Sequence, residues 1–264
     1  MQLKIEHQTK YSYDAPVSFG LQQLRLTPRT GPTQKVEKWE VSVEGGKIET
    51  SFSDQHGNDV QLVSFEPFVT EFSVTCRGRV TTRAGSGVSG QHKALAPLWM
   101  YQSTTPLTQP GPGIEALIQG ADASNTVETL HQISARIAAQ VRYETGKTGA
   151  TTTAEEALAA GHGVCQDHAQ IFVAATRLLG LPARYVSGYL RMNDRDEQDA
   201  THAWAEAFVE DLGWVGFDVS NGISPDERYV RLATGADYAD AAPISGLRYG
   251  DASEALAVSV QVQQ

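Results

Sequence analysis

The amino-acid sequence predicts an α+β protein, with an N-terminal antiparallel β-sandwich over residues 1–103 and an α+β domain over residues 104–264. Three observations support this fold class. Residues 3–83 contain short runs in which apolar and polar side chains alternate, residues 126–179 carry apolar side chains at helical spacing, and strand-like runs return from residue 184 onward. The chain has 264 residues, 41% hydrophobic and 20% charged, so it is long enough to bury a core and is predicted to be globular.

The first part of the chain consists of predicted strands separated by turns. Glycine-containing turns, such as Gly45-Gly46 and residues 56–58, interrupt its alternating runs. This spacing predicts about seven strands packed as a sandwich. Cys76 occupies an alternating position and is predicted to be a buried structural thiol. The clearest runs are residues 21–26, 39–43 and 72–76.

Residues 101–124 are rich in proline and glycine, which disfavour regular structure, and we interpret them as the junction between the two parts. A helix is predicted directly after them. Asn125 is an N-cap residue type, and Glu128 follows it at the spacing of a capping box. The apolar positions that continue this helix are Leu130, Ile133, Ile137 and Val141.

Two more helices are predicted from cap signals and apolar spacing. Thr153, with Glu156 three residues later, opens a short helix over residues 155–160 that Gly161 ends. Residues 166–179 carry their apolar side chains on one face and stop at a glycine. Strand-like runs follow at residues 184–191, 202–210 and 214–219, and a final strand at 255–262 is predicted to return to one of the sheets.

Cys165 lies at the amino end of the helix predicted over residues 166–179. The thiolate is the nucleophilic form of cysteine, and a free thiol, with a pKa of about 8.5, is mostly protonated at neutral pH. A helix amino terminus stabilises a thiolate through unpaired backbone N–H groups and roughly half a positive charge. Gly161 and Gly163 leave room for a substrate to approach the backbone. The pattern favours a nucleophile over a buried cysteine without a role.

His202 and Asp218 supply a base and an orienting carboxylate for that thiol. His202 begins one strand-like run and Asp218 ends the next, with a predicted turn at residues 211–213 between them. In a hairpin, the two side chains become cross-strand neighbours at the same end. A carboxylate fixes the tautomer of an imidazole and stabilises its charged form. Each residue alone has an ordinary structural explanation, but together with Cys165 they predict a catalytic set.

Four blocks of sequence resemble the transglutaminase-like superfamily of papain-like thiol enzymes, in the order that the family shows. They are residues 163–169 (GVCQDHA), 180–189 (GLPARYVSGY), 202–206 (HAWAE) and 213–218 (GWVGFD). Outside them, residues 11–17 and 24–28 resemble the β-rich N-terminal region of the bacterial branch, and residues 235–243 resemble its tail. The likeness therefore covers most of the chain.

The resemblance implies a papain-like or transglutaminase-like α+β core in which Cys165 is the nucleophile, His202 the general base and then acid, and Asp218 the orienting residue. The implied reaction is attack on a peptide or amide carbonyl through a thioester. We expect water to resolve the thioester, as in a cysteine protease or amidase; the alternative is a transglutaminase, in which an amine does so. The backbone N–H of Cys165 is the first expected oxyanion donor, and Tyr143 is a weaker second candidate.

Two alternatives from other classes remain open at this point. His162, Cys165 and His168, with Asp167 and His202 nearby, are residue types that bind zinc, but no second paired set of ligands accompanies them. We therefore expect no metal and no cofactor. The other alternative is a catalytically inert binding module that uses the sandwich as its interaction surface.

The charge and the segment pattern bear on partners and location. Lys+Arg 21 against Asp+Glu 31 gives a net charge of −10, which argues against general binding to nucleic acid or to anionic membranes. The expected partner is a peptide or protein substrate, with the oligomeric state left open. The first twenty residues lack the apolar run of a signal peptide, and the two cysteines form no disulfide framework. We expect a cytoplasmic protein.

Overall fold

The computed structural model describes residues 1–122 and 126–264, and it begins with six long strands. They are β1 (Gln2–Val17), β2 (Phe19–Thr27), β3 (Gln34–Glu44), β4 (Gly46–Ser53), β5 (Asp59–Phe65) and β6 (Val69–Thr82). The predicted number was about seven, and the difference has a simple reason. A short seventh strand, β7 (Val88–Gly90), pairs with a strand of the second part of the chain instead of the first six.

The helices and strands of the second part follow two 3-10 turns at Leu98–Gln102 and Pro106–Thr108. They are α1 (Pro112–Leu117), α2 (Thr126–Gln140), β8 (Arg142–Tyr143), α3 (Ala154–Ala160), β9 (His162–Gly163), α4 (Cys165–Leu178), β10 (Ala183–Leu190), β11 (Glu197–Gln198), β12 (His202–Val209), β13 (Gly213–Phe217), β14 (Tyr229–Gly235), α5 (Tyr238–Ala241), β15 (Ile244–Tyr249) and β16 (Glu254–Gln263). The mixed α and β composition is as predicted.

Of the two predicted helix caps, one lies within the described residues. Thr153 caps α3 together with Glu156, and Gly161 ends it with a left-handed φ of 66°. The cap predicted for α2, Asn125, lies outside the described residues. The junction contains more helix than predicted, because α1 starts with proline at its first turn, where a missing N–H costs nothing. The Glu155 carboxylate accepts hydrogen bonds from three backbone N–H groups at the start of α1.

Within the described residues, the strands form three antiparallel sheets of four or five strands and one small parallel pair. Their orders are β11-β16-β1-β6-β3, β15-β2-β5-β4, β14-β10-β12-β13-β7 and β8-β9. The first two sheets share one apolar core, which includes Leu3, Leu24, Val63 and Phe72. The predicted returning strand is present, since β16 runs along β1 from Lys4↔Gln263 to Tyr13↔Glu254. Because β15 and β16 join sheets of the first part, the boundary at residues 103 and 104 stays a prediction.

The third sheet carries the helix that positions the candidate site. Helix α4 packs on β12 and β10, burying Ile171 and Phe172 against the sheet. The side chains of β12 that face α4 are alanines (Ala203, Ala205 and Ala207), so the helix lies close to the strand. The opposite face of β12 carries Trp204 and Glu206 toward the first part of the chain.

Candidate active site

Cys165 is the first residue of α4, and the residues around it fix the start of the helix. The Asp167 carboxylate closes the first turn, accepting a hydrogen bond from the Val164 N–H at 2.7 Å and another from the Thr148 hydroxyl at 2.7 Å. Gly163 is required here, because a Cβ at that position would lie 2.7 Å from the Asp167 side chain. The N–H groups of a first helical turn lack intrahelical acceptors, so the Cys165 N–H is free of the helix ladder.

His202 and Asp218 lie together at one end of the β12–β13 hairpin, as predicted. Pairing of Ala205 with Phe217 sets the register, and His202 and Asp218 flank it at the open end. His202 Nε2 lies 2.6 Å from Asp218 Oδ2, and both side chains are buried, 7% and 1% exposed. The ring nitrogen therefore donates to a carboxylate shielded from water.

Two residues that the sequence did not single out hold the Asp218 carboxylate. The Tyr229 hydroxyl and the Asn221 side-chain amide each donate to Oδ2 at 2.7 Å, and the Asn221 N–H donates to Oδ1 at 3.2 Å. Burial alone would raise the pKa of Asp218, but the hydrogen bonds from His202, Asn221 and Tyr229 outweigh it and lower that pKa. The carboxylate stays charged at neutral pH.

The Cys165 side chain lies close enough to His202 to help raise the pKa of the imidazole. Because Nε2 is engaged with Asp218, Nδ1 is the ring nitrogen that remains for the sulfur. Burial lowers the pKa of His202, but the Asp218 hydrogen bond and the Cys165 side chain outweigh it and raise that pKa to about 10. The imidazole is therefore protonated at neutral pH, next to the sulfur on one side and the carboxylate on the other.

Tyr143 and Trp204 border this arrangement. The parallel pairing of β8 with β9 sets Tyr143 opposite Gly163, two residues before Cys165. Partial burial, followed by the charges of Cys165 and Asp218, raises the pKa of Tyr143 to about 12, so its hydroxyl remains a donor. The Trp204 ring stacks 6.3 Å from the His202 ring.

The geometry disfavours the zinc alternative. The two ring nitrogens of His168 contact the Ser220 hydroxyl at 2.8 Å and the Val141 carbonyl at 3.0 Å, and Asp167 is used by the helix start. Among residues 1–122 and 126–264, no group of three His, Cys, Asp or Glu side chains is arranged to hold a metal ion.

No helix in the same residues is long and apolar enough to cross a bilayer.

The chain is similar to known proteins along most of its length. An uncharacterized protein of Mycobacterium tuberculosis is 30% identical over 293 residues, covering 98% of this chain and 91% of that protein. One of Mycobacterium leprae is 26% identical over 274 residues and covers 98% of each chain. The crystal structure of a protein described as a "putative cysteine protease" from Cytophaga hutchinsonii superposes with a TM-score of 0.77 at 24% identity, covering 100% of this chain and 91% of the other.

Fold and sequence together define a member of a thiol-enzyme family. Residues 115–219 match the transglutaminase-like superfamily, and residues 3–81 match the bacterial transglutaminase-like N-terminal region. The chain belongs to the transglutaminase-like superfamily and carries the bacterial N-terminal region, as its sequence blocks indicated.

Proposed function

We propose that this protein is a thiol-dependent hydrolase of peptide or amide bonds, a cysteine protease or amidase, with Cys165, His202 and Asp218 as its catalytic triad. One observation carries the proposal. A buried imidazole lies with its Nε2 2.6 Å from a buried carboxylate, and the Cys165 side chain beside it helps to raise its pKa. This arrangement supplies a nucleophile, a base and an orienting group in contact with one another.

The first half of the reaction makes a thioester. The Cys165 sulfur attacks the carbonyl carbon of the substrate, a C–S bond forms, and the carbonyl oxygen becomes an oxyanion. When the oxyanion collapses, the C–N bond breaks and the leaving amine takes the proton that His202 Nδ1 carries. The raised pKa of His202 keeps that proton available near neutral pH.

The second half returns the enzyme to its starting state. His202 removes a proton from water, the resulting hydroxide attacks the thioester, and the C–S bond breaks to release the carboxylic acid and the thiolate. The Cys165 N–H is the proposed main oxyanion donor, and the Tyr143 hydroxyl, whose pKa the Cys165 charge helps to raise, is the second. A single donor of this kind is commonly worth about 3 kcal/mol in the transition state.

Access to the sulfur favours water as the acceptor. Cys165 is only partly buried, and the neighbouring Tyr143 side chain is 56% exposed, so solvent reaches a thioester formed there. Transfer to an amine would need an acceptor that outcompetes this water. The proposed substrate is a peptide or protein, and the proposed location is the cytoplasm. We further propose that the two sheets that share the N-terminal core form the predicted sandwich.

The test compares the protein with its Cys165→Ala variant on a peptide library, with and without a primary amine, with products identified by mass. Peptide fragments from the wild type alone would support the hydrolase. Amine adducts would instead indicate a transferase, and identical products from both proteins would remove the catalytic claim. Cys76→Ala is the matched control, since it removes the other cysteine, which is buried in the core of the N-terminal sheets.

A further inference from the structure

A cleft of about 350 Å³ lies apart from Cys165, where the N-terminal sheets meet the sheet of β10, β12 and β14. Five segments form its walls: the β2–β3 loop with Arg29, the β4–β5 turn, residues 89–94 from β7 onward, Arg184 of β10, and residues 231–234 of β14. This volume is within the range of small-ligand sites. Cys165, His202 and Asp218 do not line the cleft, so it is separate from the proposed catalytic site.

Two buried side-chain amides hold the walls in place. The Gln34 amide bonds both the N–H and the C=O of Arg231 at 2.8 Å, and the Asn58 amide bonds the Thr234 N–H at 2.9 Å and C=O at 2.8 Å. Strand β14 is at the edge of its sheet, and these amides satisfy backbone groups that would otherwise be unpaired. The cleft is therefore preorganised by hydrogen bonds that cross more than 170 residues of sequence.

The cleft is cationic although the protein carries a net charge of −10. Arg29, Lys93, Arg184 and Arg231 line it, and none of the described residues that line it is Asp or Glu. Arg29 has a partner in Asp59 at 3.8 Å. Lys93 is exposed and has no hydrogen-bond or ion-pair partner within the described part of the chain.

The two inner arginines share one carboxylate. Arg184 bonds the buried Glu206 through Nε at 2.7 Å, whereas Arg231 approaches the same carboxylate only to 3.7 Å. Two positive charges against one negative charge leave an excess positive charge inside the cleft. Burial lowers the pKa of Arg231, Glu206 opposes this, and Arg184 lowers it further, so the Arg231 charge is undercompensated. A second anion in the cleft would restore the balance.

We propose that this cleft binds a small multivalent oxyanion, a phosphate ester or polycarboxylate, through the Arg231 guanidinium with Lys93 and Arg29 at the mouth. Guanidinium groups present N–H donors at the spacing of phosphate and carboxylate oxygens. The ligand would lie about 13 Å from the proposed catalytic centre, since Glu206 and His202 are four residues apart on β12. This inference does not depend on the proposed thiol chemistry.

The test is calorimetric titration of the whole protein with pyrophosphate and, separately, with citrate, at constant ionic strength. Heat from pyrophosphate alone assigns a phosphate ligand, and heat from citrate alone assigns a carboxylate ligand. Heat from both supports a general oxyanion site, and heat from neither overturns the proposal. Cys165→Ala protein should bind equally well, so failure of the catalytic proposal leaves this one standing.

Variants of the lining residues test whether the measured heat comes from binding in the cleft. Arg231→Gln should weaken binding about 10-fold or more, because it removes a charge-assisted hydrogen bond, and Arg231→Lys should weaken it less. Lys93→Gln, on an exposed residue that is expected to fold normally, should weaken binding about 3-fold. The matched control is Arg248→Gln, because Arg248 lies on β15 outside the cleft and is 25% exposed, against 23% for Arg231. Equal weakening by the control, or unchanged affinity in both the Arg231 and Lys93 variants, would refute the site.

Discussion

Replacing Asp218 with asparagine should slow alkylation of Cys165 by iodoacetamide at pH 6 some tens-fold, because the charge behind His202 is lost. The pKa of His202 is raised from 6.5 to about 10 against the effect of its burial, with Asp218 and Cys165 as the partners that raise it. This rise corresponds to about 5 kcal/mol of stabilisation of the imidazolium. Assigning half of it to the carboxylate gives roughly 2 kcal/mol, which is a change of some tens-fold in rate.

The contacts of Asp218 make asparagine a nearly isosteric test. Oδ2 accepts from three donors: His202, Asn221 and Tyr229. An asparagine at this position keeps its carbonyl oxygen facing those donors and turns its NH₂ group toward the Asn221 N–H. Only that hydrogen bond, 3.2 Å long, is lost, so the substitution removes a charge and leaves most of the geometry in place.

The assay follows the mass shift of Cys165 with time, and the buried Cys76 serves as an internal reference because it is 0% exposed. Thermal melting of the same samples shows whether the variant is folded. Asp251→Asn is the matched control, since Asp251 is exposed in the turn between β15 and β16. The reasoning is wrong if folded Asp218→Asn protein reacts at the wild-type rate, or if Asp251→Asn slows the reaction as much.

Two further predictions concern the sheet that contains β10, β12 and β14. Glu206→Gln should lower the free energy of unfolding by about 3 kcal/mol at pH 7, because Arg184 then stays buried without its carboxylate; Glu71→Gln, in an exposed ion pair, should cost under about 1 kcal/mol in the same urea titration. Burial alone would raise the pKa of Glu206, but the arginine charges hold it at about 2, below the ordinary 4.5. Its contribution to stability is thus present above pH 4.5 and is lost as the pH falls toward 2. The difference in unfolding free energy between wild type and Glu206→Gln should therefore shrink over that range. A difference that grows instead would contradict the assignment. Tyr229→Phe should slow Cys165 alkylation about 10-fold by removing one hydrogen bond to Asp218, and an unchanged rate would show that this hydroxyl has no part in positioning the carboxylate.

The elements with local signals were predicted well. A capping box and a left-handed glycine define α3, the sequence block around Cys165 marks the start of α4, and period-two alternation marks β12 and β16. Strands β14 and β15 were not predicted, because residues 224–250 lack a clear alternation of apolar and polar residues. Helix α1 was hidden by its prolines and glycines, and the carboxylate that caps it comes from 41 to 44 residues away.

The residues of the candidate site also fall into those with a local sequence signal and those without one. His202 and Asp218 were found because a hairpin with a short turn converts sequence spacing into cross-strand proximity. Asn221 had a possible signal, since an Asp followed by a Ser-Asn-Gly turn commonly bonds the backbone of that turn. Tyr229 had none, because its hydroxyl reaches Asp218 only through the pairing of β14 with β10. The Arg184–Glu206 pair was equally hidden: a charge inside an apolar run becomes acceptable only when its partner on the adjacent strand is known.

Strand β12 explains why one sheet can hold both the proposed catalytic centre and the proposed anion site. Its alanines, Ala203, Ala205 and Ala207, pack against α4, whereas Trp204 and Glu206 face the other way, in line with His202. Strand β14 repeats the pattern on the same face, with Tyr229 bonded to Asp218 and Arg231 beside Glu206. A slip of one residue in the β12 register would exchange the two faces, placing Glu206 under the helix and an alanine beside Arg184 and Arg231. The register set by the β12–β13 hairpin therefore determines the position of both sites at once, and neither can be moved without unpacking α4.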